Sequence, residues 1–147
     1  MKYIAYGSNM VEEQMAYRCP GGKLIGMGTL SNHRLEFYRH ATVEADTACA
    51  EGVPVAVWEI NDTDERRLDV YEGYPHYYDK EEATVRMADG SEIKGMVYIM
   101  CDRYKKESPV DEYYADICKA YKKLGIGSKI STVLEPALMR CRTRKNS

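Results

Sequence analysis

The sequence lacks an uninterrupted apolar run near the ~20 residues that a bilayer crossing needs, which argues against a membrane-spanning helix. It also lacks an excess of one charge: 21 basic and 23 acidic side chains leave a formal net charge of −2, so no global field would attract nucleic acid. With 147 residues, 44% of them hydrophobic, the chain has the size and composition of one folded domain. We expect a single domain over residues 1–147, with neither a nucleic-acid nor a membrane partner.

Phenylalanine and tryptophan are scarce, with one residue of each, whereas tyrosine occurs 13 times. A tyrosine ring carries a hydroxyl group, which must find a hydrogen-bond partner or face water when the ring is buried. This bias predicts tyrosines around a wet cleft or with paired hydroxyls in the interior.

Neither a secretory leader nor a cysteine framework is evident. The first residues do not contain the apolar segment of about 7–15 residues that a leader requires, so we expect a cytoplasmic protein. The five cysteines are odd in number, widely spaced and without a Cys-x-x-Cys pair, which favours neither disulfides nor a zinc site. His33, His40 and His76 have no metal-ligand spacing and are interpreted as loop or surface residues. We expect no metal at the site.

Local patterns predict more strand than helix. Strands are expected at residues 2–6, 23–30, 34–39, 53–60, 78–87 and 92–100. Helices are expected at residues 10–17, 62–72 and 110–124, a loop at 40–51, a short strand or helix at 130–138, and a flexible tail at 140–147. The pattern indicates an α+β fold, with a small, mixed, barrel-like sheet and helices packed outside it.

The turn Tyr6-Gly7-Ser8-Asn9, between the first strand and the first helix, is one candidate site. Gly7 permits a backbone conformation, or a close approach, that a Cβ atom would block. Asn9 is a suitable N-cap, with Glu12 at the spacing of a capping box. Unpaired amides at the positive end of a helix dipole favour an anion, and a loop with one glycine and no lysine suits a single carboxylate. The same pattern is also that of an ordinary capped turn.

Glu72 is the other candidate, because it lies in the last turn of a predicted helix that ends at Gly73. The helix dipole is negative there and makes an acidic side chain less favourable by ~0.3–1 kcal/mol. If the neighbouring tyrosines also screen Glu72 from water, its pKa should rise towards the value that a general base needs. The alternative is an exposed glutamate, or one paired with Lys80 or Arg66.

Together, the motifs Tyr6-Gly7-Ser8-Asn9 and Leu68-Asp69-x-x-Glu72-Gly73 resemble those of the γ-glutamylcyclotransferase superfamily, including its AIG2-like members. The strand at 52–58, the strand that starts at Tyr78 and the segment 108–125 follow in the family's order, so the resemblance covers residues 2–125. It implies a mixed β-barrel surrounded by helices, with neither metal nor organic cofactor. It also implies a small-molecule γ-glutamyl substrate, from which the family's enzymes release 5-oxoproline.

The resemblance assigns roles to eight residues of this sequence. Glu72 matches the catalytic acid/base of the family. The matches to the residues that hold the glutamyl moiety or line its pocket are Tyr3, Tyr6, Gly7, Ser8, Asn9, Tyr78 and Tyr113. In the implied reaction, the substrate's own α-amino group attacks the γ-carbonyl while loop amides hold the α-carboxylate and Glu72 moves the proton.

Two other functions remain open at this point. A non-catalytic module on the same fold would bind a small acidic ligand without turnover. A protein-interaction domain would present an exposed apolar patch away from the pocket. Neither the leaving amine nor the oligomeric state can be read from the sequence.

Overall fold

The computed structural model describes residues 1–102 and 107–145. In chain order its strands are β1 (Lys2–Ala5), β2 (Lys23–Leu30), β3 (His33–Tyr38), β4 (His40–Ala45), β5 (Val53–Glu59), β6 (Tyr78–Met87) and β7 (Glu92–Met100). Its helices are α1 (Glu12–Arg18), α2 (Asp62–Glu72), α3 (Asp111–Lys123) and α4 (Glu135–Lys145). A short 3-10 turn, Ser8–Met10, precedes α1, and a π-helical turn, Ile130–Leu134, runs into α4. No helix in the described part of the chain is long and apolar enough to span a bilayer.

Five strands close a barrel in the order β1-β5-β2-β6-β7. Four of its pairings are antiparallel, and the parallel pairing of β1 with β7, where Tyr3 lies opposite Met96, completes the ring. The interior is apolar, since side chains such as Ile4, Val57 and Val85 are at most 1% exposed. The predicted α+β barrel with helices outside is confirmed.

The predicted bounds of 23–30, 62–72, 78–87 and 92–100 coincide with β2, α2, β6 and β7. Two glycines account for the sharpest of these boundaries. Gly73, with φ of 70°, ends α2 in the left-handed conformation, and Gly90, with φ of 89°, forms part of the β6–β7 turn. Both positions need a backbone conformation that side chains with a Cβ atom rarely adopt. The helix α2 therefore ends at Glu72, as its sequence predicts.

The prediction of a loop at 40–51 is wrong for its first half, because His40–Ala45 is strand β4, antiparallel to β3 in a separate two-stranded sheet. The reversal uses one residue, Arg39, with φ of 72°, between Tyr38 and its partner His40. No glycine, proline or asparagine marks such a turn in the sequence. The sheet joins the barrel through Thr42, whose Oγ1 accepts a hydrogen bond from the amide of Met100 at 3.0 Å.

The prediction of a flexible tail at 140–147 is wrong for residues 140–145, which are the second half of α4. The carboxylate of Glu36 in β3, 1% exposed, forms ion pairs with Arg140 Nε at 2.8 Å and with Arg144 Nη1 at 2.9 Å. Arg34 Nε contacts the same carboxylate at 2.7 Å. A run of cations that looks solvated in the sequence thus binds a buried acid more than 100 positions away. Residues 146 and 147 lie outside the described residues.

Helix α2 begins with a capping box one residue before Asp62 and Glu65, a pair whose spacing in the sequence is also that of a capping box. Asn61 is the N-cap, its Oδ1 accepts from the amide of Asp64 at 2.8 Å, and the Asp64 carboxylate accepts from the amide of Asn61 at 3.3 Å. The start of the helix is nevertheless the predicted one, because both pairs have the spacing of a capping box.

Candidate active site

A cavity of about 180 Å³ lies where the chain leaves β1, beside the last turn of α2. All eight residues singled out from the sequence line it, namely Tyr3, Tyr6, Gly7, Ser8, Asn9, Glu72, Tyr78 and Tyr113. The lining is completed by Ile4, His40, Ala41, Tyr71, Tyr77 and Tyr98. At least seven of the thirteen tyrosines therefore face one cavity, as the excess of tyrosine over phenylalanine predicts.

Glu72 brings a half-buried carboxyl group to this cavity from the negative end of α2. Burial raises its pKa to about 7, against a smaller opposing effect of the Arg18 cation. Charged carboxylates are disfavoured where water is excluded, so the burial of Glu72 explains why its pKa rises. A side chain with this pKa exchanges a proton readily at neutral pH.

Neither neighbouring cation pairs with Glu72. Lys80 Nζ contacts Glu65 at 2.7 Å and Asp69 at 2.8 Å, and Arg66 contacts Thr63. Within the described residues no ion pair involves Glu72. The alternative of a glutamate neutralised by Lys80 or Arg66 is therefore wrong.

Arg18 approaches the site indirectly, from the end of α1. Its guanidinium lies 3.2 Å above the centre of the Tyr71 ring, and Tyr71 precedes Glu72 and lines the cavity. Such stacking of a cation on an aromatic face is favourable. It brings a positive charge near the carboxylate without a direct ion pair.

The tyrosine hydroxyls divide into two groups by their hydrogen bonds. Tyr6 donates to the carbonyl of Tyr98 at 2.8 Å, and Tyr78 donates to the carbonyl of Ala41 at 2.6 Å. Their protons are thus engaged, and their oxygens present lone pairs. Tyr113 instead accepts from the amide of Ala41 at 3.0 Å, so its own proton remains available to a ligand. Burial raises the pKa of Tyr6, Tyr78 and Tyr113, so all three stay protonated.

His40 forms part of the cavity wall, contrary to its interpretation as a loop or surface residue. Its Nδ1 lies 2.7 Å from the hydroxyl of Tyr77. Its ring meets Tyr77 and Tyr113 edge to face, with centroids 5.8 and 5.2 Å apart. No local pattern marks this position, because strand β4, which carries His40, begins after a turn without a recognised turn residue.

Asp69 and Tyr98 support the site from α2 and β7. The hydroxyl of Tyr98 donates to Asp69 Oδ1 at 2.7 Å, and Lys80 holds the same carboxylate. The acid of the Leu68-Asp69 motif thus fixes a tyrosine of the cavity wall. Spacing along the chain cannot reveal this contact, which joins residues 29 positions apart.

The loop after β1 differs in detail from its predicted form. Gly7 has φ of −120°, and a Cβ atom there would meet no protein atom within 4 Å, so neither a positive φ nor internal packing requires glycine. Asn9 is not an N-cap, because α1 starts three residues later, after Val11. The amides of Met10 and Val11 donate to the carbonyls of Gly7 and Ser8. In the described part of the chain, no acceptor is assigned to the amides of residues 7–9.

Asn9 is instead a buried cavity residue, 5% exposed. Its Nδ2 donates to the hydroxyl of Tyr3 at 3.0 Å. Residues 7–9 thus line the cavity, with three backbone amides that have no acceptor in the described part of the chain and the side-chain amide of Asn9. Over residues 1–102 and 107–145, no three His, Cys, Asp or Glu side chains are grouped so that they could hold a metal ion.

Comparisons with known proteins agree on one family. The family model described as "Gamma-glutamyl cyclotransferase, AIG2-like" matches residues 3–116. The gamma-glutamylcyclotransferases of Bos taurus and Homo sapiens are each 27% identical over 135 residues, which cover 84% of this chain and 71% of theirs. A solved structure of a gamma-glutamyl cyclotransferase has a TM-score of 0.77 at 25% identity, covering 90% of this chain and 86% of that one. YkqA from Bacillus subtilis, 16% identical with a TM-score of 0.72, shares the fold over 90% of this chain and 53% of its own.

Proposed function

Because the chain belongs to the gamma-glutamyl cyclotransferase, AIG2-like family, we propose that it releases 5-oxoproline from a γ-glutamyl amide, with Glu72 as the acid and base. One observation supports the proposal: the Glu72 carboxylate, which has no ion pair among the described residues and a pKa raised to about 7, shares a cavity with the loop residues Gly7, Ser8 and Asn9. The carboxylate can move protons, and the amides can hold the anionic end of a glutamyl group.

The substrate supplies its own nucleophile. Its α-ammonium gives a proton to Glu72, and the nitrogen forms a bond to the γ-carbonyl carbon, closing a five-membered ring. Glu72 gives this proton to the leaving nitrogen as the bond from that carbon to the nitrogen breaks. The ring nitrogen then loses its second proton to the regenerated Glu72 carboxylate, which passes it to the departing amine, so the ring keeps one N–H and the amine leaves as an ammonium. Atoms balance without water or a cofactor, and the products are 5-oxoproline and an amine.

The raised pKa of Glu72 suits both proton transfers. The α-amino group of the substrate, beside its own carboxylate, is more basic than a peptide amino terminus, whose pKa is about 7.7–8.0. A carboxylate whose pKa is about 7 is therefore much better matched to it than an ordinary glutamate is. An ordinary glutamate, with a pKa of about 4.3, would face a mismatch of more than three units, at about 1.4 kcal/mol for each. The same group, once protonated, is acidic enough to protonate the leaving amine.

The cavity can also hold the substrate in its reactive conformation. Loop amides at residues 7–9 bind the α-carboxylate, and the available proton of Tyr113 is donated to the γ-carbonyl oxygen as negative charge develops there. Holding the flexible chain with its ends together can contribute about 7–11 kcal/mol to lowering the barrier. The protein thus acts by orientation, charge stabilisation and proton transfer.

A turnover assay tests the proposal. Purified protein is incubated with γ-glutamyl amino acids and γ-glutamyl amines, and 5-oxoproline is quantified. Release from at least one substrate is expected, with a loss of about 100-fold or more in kcat in Glu72→Gln, since general acid–base catalysis contributes about 10²–10⁴-fold. Glu82→Gln, an exposed glutamate of β6, is the matched control and should retain activity. Binding without turnover by the unmodified protein would support the non-catalytic module instead.

A further inference from the structure

Asn9 contains an unsatisfied polar atom at the cavity. The side chain is 5% exposed, and its Nδ2 donates to the hydroxyl of Tyr3. Its Oδ1 is buried, and no group in the described part of the chain donates a hydrogen bond to it. Most buried polar atoms in folded proteins have a partner, so this carbonyl oxygen calls for an explanation.

A ligand is the natural partner for this oxygen, because both Asn9 and Tyr3 belong to the cavity lining. The Tyr3 ring, 4% exposed, packs edge to face on Tyr98 at a centroid distance of 6.0 Å. Tyr98 is in turn held by Asp69. The amide of Asn9 is therefore anchored through its nitrogen to a fixed hydroxyl.

We propose that Asn9 Oδ1 binds the α-nitrogen of the substrate, accepting a hydrogen bond from the attacking amine and afterwards from the ring N–H of 5-oxoproline. This inference rests on the proposed function. A carbonyl oxygen only accepts hydrogen bonds, so it cannot bind the α-carboxylate or the γ-carbonyl oxygen of the substrate.

Of the two nitrogen donors in a γ-glutamyl amide, the α-nitrogen is the one nearer Asn9. It is attached to the carbon that bears the α-carboxylate, and that carboxylate is held by the amides of residues 7–9 in the proposed function. The γ-amide nitrogen lies farther along the glutamyl chain. Asn9 thus supplies a backbone amide for the carboxylate and a side-chain acceptor for the adjacent nitrogen.

This contact would orient the nucleophile. After Glu72 takes one proton, the amine keeps two N–H bonds and one lone pair. When Asn9 Oδ1 holds one N–H, rotation about the carbon–nitrogen bond is restricted and the lone pair can be directed at the γ-carbon. Orientation of this kind lowers the barrier without a change in the proton transfers. Asn9 then contributes to kcat through alignment.

Ligand binding tests the inference without turnover. Affinities are measured by calorimetry for 5-oxoproline and for the matching lactone, 5-oxotetrahydrofuran-2-carboxylate, in which a ring oxygen replaces the ring N–H. The unmodified protein should bind the lactam about tenfold more tightly, since the lactone places an acceptor against Oδ1. Asn9→Leu should bind both ligands with similar affinity. Asn9→Ala, a smaller change, gives the same test if the leucine variant does not fold.

Glu82→Gln is the matched control, because Glu82 is exposed on β6 and is not among the residues that line the cavity. It should keep the lactam preference. A preference that persists in both Asn9 variants would overturn the inference while the proposed function stands. A lactone preference in the unmodified protein would mean that the amide nitrogen faces the ring, and would also overturn it. Failure to bind either ligand, together with no turnover of any γ-glutamyl amide, would remove both proposals.

Discussion

Glu72→Gln should make the folded protein more stable at alkaline pH, in addition to the loss of turnover that the proposed function predicts. The carboxyl group is half-buried and has no ion pair among the residues that the structure describes, and burial raises its pKa to about 7 from an ordinary 4.5. Its charged form therefore weakens the folded state, and a neutral amide of similar shape lacks this penalty. Groups tuned for chemistry commonly reduce stability in this way.

The sign and size of this change in stability follow from proton linkage. Below pH 4.5 the carboxyl is protonated in both the folded and the unfolded chain, so it carries no charge penalty. Between pH 4.5 and about 7 only the folded chain keeps the proton, so the free energy of unfolding falls as pH rises. Above this range the loss is complete and amounts to about 3 kcal/mol. For a chain of this size that corresponds to about 6–12 °C in Tm.

Urea and thermal unfolding of the unmodified protein and of Glu72→Gln, at pH 4 and pH 8, measure this difference. The variant should gain about 3 kcal/mol relative to the unmodified protein on going from the lower to the higher pH. Glu82→Gln, at an exposed position, should show no such pH-dependent gain. An equal stability difference at both pH values would refute the reasoning, because it would mean that Glu72 titrates as a solvated glutamate.

Three further predictions concern other parts of the molecule. Arg18→Gln should move the acidic limb of the kcat/KM–pH profile to higher pH, because the Arg18 cation lowers the pKa of Glu72. Arg18→Lys keeps the charge and should move this limb less. Unchanged profiles would contradict the prediction. Gly7→Ala should unfold at the same urea concentration but bind substrate about tenfold or more weakly, because Gly7 lines the cavity and an added Cβ atom would meet no protein atom within 4 Å. An unchanged KM would count against this. Glu36→Gln should lower the free energy of unfolding, measured in urea, by about 2 kcal/mol or more, because three arginines lose their buried carboxylate partner. An unchanged urea midpoint would mean that Glu36 does not stabilise the fold.

Much of the fold could be predicted because local chemistry determines it. The boundaries of α2 follow from a capping spacing and from Gly73, and those of β6 and β7 from alternating patterns around Gly90. The strand β4 could not be predicted, because Arg39 reverses the chain in a single residue without a recognised turn signal. The second half of α4 was missed because its partner, Glu36, is remote in sequence.

The candidate site shows the same division. Glu72 could be identified because an acid at the negative end of a helix breaks a local preference. The loop after β1 could be identified from its glycine and polar residues. His40 and Tyr98 could not, because each reaches the cavity through contacts between distant segments. The local pattern predicts Asn9 as a helix cap, but this cap does not form, and the Asn9 side chain is instead buried at the cavity.

Ala41, in strand β4, links helix α4 indirectly to the cavity. One backbone carbonyl and one backbone amide of that residue orient the hydroxyls of Tyr78 and Tyr113. Ala41 belongs to the two-stranded β3–β4 sheet, a ribbon outside the closed barrel. Helix α4 binds this ribbon through ion pairs with Glu36. A substitution in α4 that lets the ribbon shift would therefore re-aim two hydroxyls without touching either tyrosine. The shape of the cavity wall thus depends on residues of α4 that do not line it.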